Sequence, residues 1–243
     1  MTVAADRGPL LDEIRGRLAA EADADRAAHG EGYFPTAMRI TGVGTPVLRQ
    51  IAADLARRLE TPSDAVGLAS DLVAGGGFEE RTLACLLLSR HFKAFATLRA
   101  GDIEALGRGM DNWASVDAFC SLVAGPAWLA GQLGDADLER WARSSDRWWR
   151  RAALVATTAL NKKRAGDGTG DARRTLAICA RLAEDPDEMV IKALSWALRT
   201  LANRDPAAVR AFLDEHGDAL AALVRREVRH KLETGLKQPR RGR

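Results

Sequence analysis

Trp113 and Asp117 are a pair of residues whose types and spacing can do chemistry. They sit four residues apart in the run Asp111-Asn112-Trp113-Ala114-Ser115-Val116-Asp117-Ala118-Phe119-Cys120. Asn112 is a suitable N-cap, and Val116, Phe119, Cys120 and Val123 recur at helical spacing, so a short helix is predicted to begin here. At about 100° per residue those four side chains form the core stripe. Trp113 and Asp117 then stack one turn apart, just off that stripe. An indole and a lone carboxylate at the edge of a buried face present a π surface and an anion to a developing positive charge. The same pattern also describes an amphipathic helix with one half-buried Trp and one solvated Asp.

The rest of the chain must position that pair, and it reads as all-α. Ala and Leu dominate, β-branched runs are absent and strand-like alternation hardly appears. An acidic first helix is expected from about Pro9 to Ala28, with Leu11, Ile14 and Leu18 inward. A turn region around Tyr33 to Gly44 follows. Thr45-Pro46 and Thr61-Pro62 each read as an N-cap followed by Pro at the first helical position. Gly75-Gly76-Gly77 ends the second of these helices, and the next is expected from Phe78 to about Phe92. Gly125-Pro126, Gly131 and Gly134 read as punctuation, with further helices from about Asp135, Asp146, Asp171, Asp187, Pro206 and Asp218. About twelve helices result. The domain prediction is a single unit over 1–236, with 237–243 as a frayed basic tail.

A period runs through these helices. Arg81, Asp117, Arg151, Lys192 and Arg229 succeed one another at intervals of 36, 34, 41 and 37 residues, each within or just ahead of an apolar helical run. That spacing fits an α-solenoid of HEAT-like two-helix repeats, with the second helix of each pair lining a concave, basic face. Four of the five register positions are cations and the remaining one, the second, is Asp117. Such a track suits a polyanion that must become cationic at one point. Arg143, Arg147, Arg150 and Arg151 cluster around Trp148 and Trp149. Trp196 lies roughly 110° off the core stripe of its helix and is flanked by Lys192 and Arg199. A surface indole packed under alkyl stems accounts equally for Trp196, and a solvated face for the arginines. Trp148 fits core packing with Ala152, Val155 and Ala159; Trp149 has a similar claim through Ala153, Ala156 and Leu160.

Composition excludes several classes. The formal net charge is only +3, although the isoelectric point is near 9.0, so local clustering must carry any nucleic-acid argument. Cys85, Cys120 and Cys179 lie 35 and 59 residues apart in apolar segments, which fits reduced, buried thiols in a cytoplasmic protein. Asp6 and Arg7 precede any apolar run, which argues against a signal peptide, and no 18-residue apolar window suggests a membrane span. His29, His91, His216 and His230 form no metal-ligand spacing, and neither a nucleophile elbow nor a phosphate loop is present. Neither a metal nor a cofactor is expected.

Taken in order, Trp113-x-x-Val-Asp117, Trp148-x-Arg150-Arg151-Ala-Ala and Ile191-Lys192-Ala-Leu-Ser-Trp196-x-Leu-Arg199 resemble the bacterial AlkD-type alkylpurine DNA glycosylases. Tyr33 with Gly42-Val-Gly-Thr-Pro46, and Arg225-Arg226-Glu227 with His230, extend the resemblance over about Tyr33 to Lys231. Ala114 departs from it, because members often carry an acidic residue there. The resemblance implies a HEAT-like solenoid that binds duplex DNA as a monomer and excises cationic N3- and N7-alkylated purines. It implies that Trp113, Asp117 and Trp196 surround the lesion deoxyribose, with Arg151 in the same cleft and Tyr33 on the lesion side. Tyr33, Arg81, Arg147, Arg150, Lys192, Arg199 and Arg229 are the expected DNA contacts. The chemistry is consistent with one carboxylate. An alkylated purine already carries positive charge and leaves without a general acid, so Asp117 need only stabilise the oxocarbenium-like sugar and orient water. The rival is a non-catalytic scaffold that binds DNA or protein, which gains nothing from a carboxylate amid its cations.

Overall fold

A computed structural model describes residues 6–162 and 170–236. The expected basic tail at 237–243 lies outside the described residues. Fifteen α-helices and one π-helical turn make up the described chain. They are α1 (Gly8–Ala20), α2 (Ala24–Tyr33), α3 (Thr45–Arg58), α4 (Pro62–Ala74), α5 (Phe78–Arg90), α6 (Phe92–Thr97), α7 (Ala100–Gly107) and α8 (Trp113–Phe119). The π turn (Cys120–Ala124) precedes α9 (Gly125–Leu129), α10 (Asp135–Ala142), α11 (Arg147–Leu160), α12 (Ala172–Arg181), α13 (Glu188–Leu201), α14 (Pro206–His216) and α15 (Ala222–Thr234). The sole β-type pairing among the described residues is an isolated bridge between Arg39 and Gly77.

Side-chain caps explain about half of the starts. Asp23, Thr61, Asn112, Asp146, Asp171, Asp187 and Asp205 each accept a hydrogen bond from a backbone N–H of the first turn. Each is worth about 1 kcal/mol to its helix. The expected Pro9–Ala28 helix is two helices: α1 closes at Ala20 with Glu21 as its C-cap, and Asp23 caps α2. Gly44, not Thr45, is the cap of α3. His91 interrupts the Phe78–Phe92 run: its Nδ1 accepts from Ala94 N at 3.0 Å and its Nε2 lies 3.0 Å from the Leu59 carbonyl. The helix expected from Asp218 begins at Ala222 instead. Gly125-Pro126 does not end a helix. The proline occupies the first turn of α9, directly after the π turn, a widened turn that accommodates a residue with no N–H to donate.

The contacts group the chain into two compact units, Met1–Val123 and Ala124–Arg243. In the first, α3, α5 and α8 pack in succession, α4 lies on α5, and α6 and α7 lie on α4. In the second, α11, α13 and α15 pack in succession, while α10, α12 and α14 form a second row on them. Each helix buries its apolar face against immediate neighbours, which is the organisation of an all-α, solenoid-like fold. The register residues sit on the first-named row of each unit: Arg81 on α5 and Asp117 on α8, then Arg151 on α11, Lys192 on α13 and Arg229 on α15. Helix α11 is buried on every side from Arg151 to Leu160. Its Thr157 and Thr158 donate to the carbonyls of Leu154 and Val155 at 2.7 Å, so neither hydroxyl is left unpaired in the core. All three cysteines are buried and reduced, and burial pushes the Cys85 thiol up to about 12. No helix of the described chain is long and apolar enough to cross a membrane.

Candidate active site

The start of α8 is held by a set of side-chain hydrogen bonds. Asn112 is buried, and its side-chain oxygen accepts from Ser115 N at 2.8 Å, while Ser115 Oγ donates to the Asn112 carbonyl at 2.9 Å. Val116, Phe119, Cys120 and Val123 are fully buried, as their spacing predicts. That stripe anchors the helix and leaves Trp113 and Asp117 half-buried at its flank. The Trp113 ring is walled by two aromatics from elsewhere in the chain. Tyr33 meets it edge-on at 5.3 Å and Phe34 at 5.8 Å, with Phe34 backed by Phe78 at 5.0 Å. Tyr33 is 63% exposed and stacks on His29 at 5.8 Å. An open aromatic surface therefore begins beside the indole.

Polar groups that no local pattern marks hold this wall. Asp111 accepts from Ala37 N at 2.6 Å and from the Thr36 hydroxyl. The Asn112 amide donates to Thr36 Oγ1 at 3.1 Å and to Asp111 Oδ1 at 3.0 Å. Burial raises the Asp111 carboxyl, but the hydrogen bonds from Thr36, Ala37 and Asn112 outweigh it and leave the group below its ordinary value. The stability it contributes is present above the unfolded pKa and lost as pH falls through the lower folded one. Further along, the buried Glu79 carboxylate accepts from Thr41 N and Gly42 N, at 3.0 and 2.8 Å. Phe78 N donates to the Arg39 carbonyl at 3.0 Å. The segment after Tyr33 is thus tied at both ends to α5 and α8.

Arg81 has a different surrounding from a phosphate-facing cation. It is 5% exposed, and its terminal nitrogens donate to the carbonyls of Leu106 and Arg108 at 2.8 Å. Those carbonyls close the C-terminal end of α7, where a cation is favoured.

In the second unit the arginine cluster is largely engaged by carboxylates and carbonyls. Arg150 pairs with Asp185 at 2.6 Å and donates to the carbonyls of Ser144 and Ser145. Arg147 pairs with Asp187 at 3.4 Å and lies 4.7 Å over the Trp148 ring; Arg143 pairs with Glu139. Arg151 is 5% exposed and its Nη1 donates to the Met189 carbonyl at 2.6 Å, which joins α11 to α13. Trp148 is buried, while Trp149 is half-buried with its ring 4.8 Å from Trp141. Trp196 is half-buried on α13. Beside it Ser195 donates to Glu227 at 2.6 Å and Arg199 lies 3.4 Å from the same carboxylate, a half-buried link to α15. Lys192 is exposed and paired with Glu188 at 2.6 Å. Arg229 is exposed, with no ion pair among the described residues. Nor do three His, Cys, Asp or Glu side chains group to hold a metal among them.

The fold of packed helices is one that known proteins share. The family model for DNA alkylation repair enzymes matches residues 14–232, nearly the whole chain. The chain belongs to the DNA alkylation repair enzyme family. A solved structure from Enterococcus faecalis, described as a predicted DNA alkylation repair enzyme, has the same fold, with a TM-score of 0.69 at 17% identity. The match covers 88% of this chain and 98% of that one. No curated protein matches the sequence.

Proposed function

We propose that the protein is a DNA glycosylase that hydrolyses the N-glycosidic bond of cationic N3- and N7-alkylated purines in duplex DNA. The observation that carries this reading is Asp117, a half-buried carboxylate one turn from the half-buried Trp113 on a helix whose start is fixed by Asn112. As the C1′–N bond breaks, its electron pair passes to the purine ring and cancels the positive charge there. The sugar becomes oxocarbenium-like, and the Asp117 anion and the indole face stabilise it. Water then adds at C1′ as Asp117 orients it and accepts its proton. Family membership supports a role in DNA repair.

In this reading Trp196 serves the same reaction. Arg151 acts as a positioning residue, since its guanidinium is buried on the Met189 carbonyl. Phosphate contacts fall to the exposed cations Arg147, Lys192 and Arg229, with Arg199 and Arg150 holding local structure. The deciding assay is release of 7-methylguanine from alkylated duplex by the wild-type protein; intact binding without release would leave a DNA-binding scaffold.

Two outcomes follow for the second unit. Trp196→Ala is expected to slow excision while lowering the melting temperature little, because the ring is only half-buried. A fully buried Trp would lose about 3–5 kcal/mol on truncation, so a large drop in melting temperature would assign the residue to the core. Lys192→Ala and Arg229→Ala should each reduce the slope of log K against log salt by about 0.9, with lesion-bearing and undamaged duplex affected alike. An unchanged slope would remove that residue from the DNA surface.

A further inference from the structure

We infer that Asp111 is a positioning residue for the aromatic wall of the site, holding Tyr33 against Trp113 through a hydrogen-bonded ring with Thr36 and Asn112. The inference rests on the glycosylase reading for its consequence in catalysis, but the coupling it describes is testable without it.

Helix α2, which ends at Tyr33, is poorly anchored by itself. Gly30 is its only buried residue, so no apolar face locks the helix in place. The position of the Tyr33 ring must therefore come largely from the chain on either side. At the start of α2, Asp23 N donates to the Thr41 carbonyl at 3.0 Å. Beyond its end, residues 36–42 are tied to α5 through Arg39, Thr41 and Gly42, and to the threshold of α8 through Thr36 and Ala37. The attachment to α8 is the one that bears on Trp113. Thr36 and Ala37 are three and four residues after Tyr33, and Asp111 is two before Trp113.

The ring closes on itself. The two Asp111 oxygens accept from Thr36 Oγ1 and Ala37 N, while the Asn112 amide donates to both Thr36 Oγ1 and Asp111 Oδ1. The Asn112 oxygen meanwhile caps α8. One group of side chains thus sets where α8 begins and where the segment after Tyr33 lies. Asparagine at 111 would turn an NH₂ toward donors and lose the charge that strengthens each bond. The Tyr33–Trp113 contact, 5.3 Å between ring centres at 85°, is then free to open. A wall moved by about 1 Å from the reacting sugar is enough to cost on the order of 10²-fold in rate.

Tyr33 is the only tyrosine in the chain, so the contact can be read directly. Protein labelled with 3-fluorotyrosine should give one ¹⁹F resonance, displaced from that of the free amino acid by the Trp113 ring current; Trp113→Phe should change that displacement. Asp111→Asn and Thr36→Val should move the resonance toward the free position, and Thr36→Ser, which keeps the hydroxyl, should restore it. In parallel, single-turnover excision should fall about 10- to 100-fold in Asp111→Asn and Thr36→Val. Thr36→Val serves if Asp111→Asn does not fold. An unmoved ¹⁹F resonance in folded Asp111→Asn or Thr36→Val, or failure of Thr36→Ser to differ from Thr36→Val, overturns the inference. A wild type that releases no 7-methylguanine overturns the glycosylase reading instead, and the resonance still decides whether Asp111 places Tyr33.

Discussion

Asp117→Asn is expected to slow single-turnover release of 7-methylguanine by about 10²–10³ while duplex affinity holds or rises. Asparagine preserves the shape of the side chain and part of its hydrogen bonding, and deletes only the anion. Because an alkylated purine departs with its charge already in place, proton donation to the base is not what the substitution removes. The loss falls on the developing cationic sugar and on the water that attacks it. Binding should not weaken, since a negative charge has left a surface that meets phosphates. Excision and duplex binding measured side by side for wild type and mutant test both halves. Unimpaired excision by the mutant would remove Asp117 from the mechanism, and a parallel loss of binding would point to a collapsed site.

Gly42→Ala is expected to be the most damaging small substitution in the first unit. Gly42 has φ +77°, and a Cβ there would meet the Asp23 carbonyl oxygen at 2.0 Å and Ala27 N at 2.8 Å. Both are backbone atoms in the first turn of α2, so neither can swing aside as a side-chain end would. The left-handed backbone and the overlap together should cost about 2–4 kcal/mol, or roughly 5–15 °C in the melting temperature of that unit. Whatever folded protein remains must shift α2, and Tyr33 with it, so excision should fall beyond the loss of stability. Gly32→Ala is the control on the same helix: nothing lies within 4 Å of its Cβ position, so its melting temperature should match or slightly exceed wild type. Equal melting curves for Gly42→Ala and wild type would show that the turn tolerates a side chain.

The segment from Asn112 to Val123 was largely readable in advance. Its cap, its core stripe and the flanking position of Trp113 and Asp117 all depend on residues within a few turns of one another, where helical periodicity and capping chemistry suffice. The breaks at Asp23 and His91 were less readable. Asp23 competes as a cap inside a pattern that otherwise continues. The His91 break depends on the Leu59 carbonyl, 32 residues away in sequence. The same limit governs the cations. A register of Arg81, Arg151, Lys192 and Arg229 marks one residue per repeat, yet it does not tell a buried guanidinium bonded to backbone carbonyls from an exposed ammonium. Arg81 and Arg151 proved to be the former, Lys192 and Arg229 exposed.

Sequence by itself determined the helical class, the succession of helices along one chain, most of their starts and the pairing of an indole with a carboxylate on α8. These follow from local propensity, caps and a period of 3.6, which need no knowledge of distant residues. Only the tertiary structure decided that Phe34 and Tyr33 wall the indole, that Asp111 and Thr36 tie that wall together across 75 residues, and that the arginines beside Trp148 are paired with Asp185 and Asp187. A hydrogen bond between residues so far apart leaves no periodic trace in the chain, because its geometry exists only once the helices between them have packed.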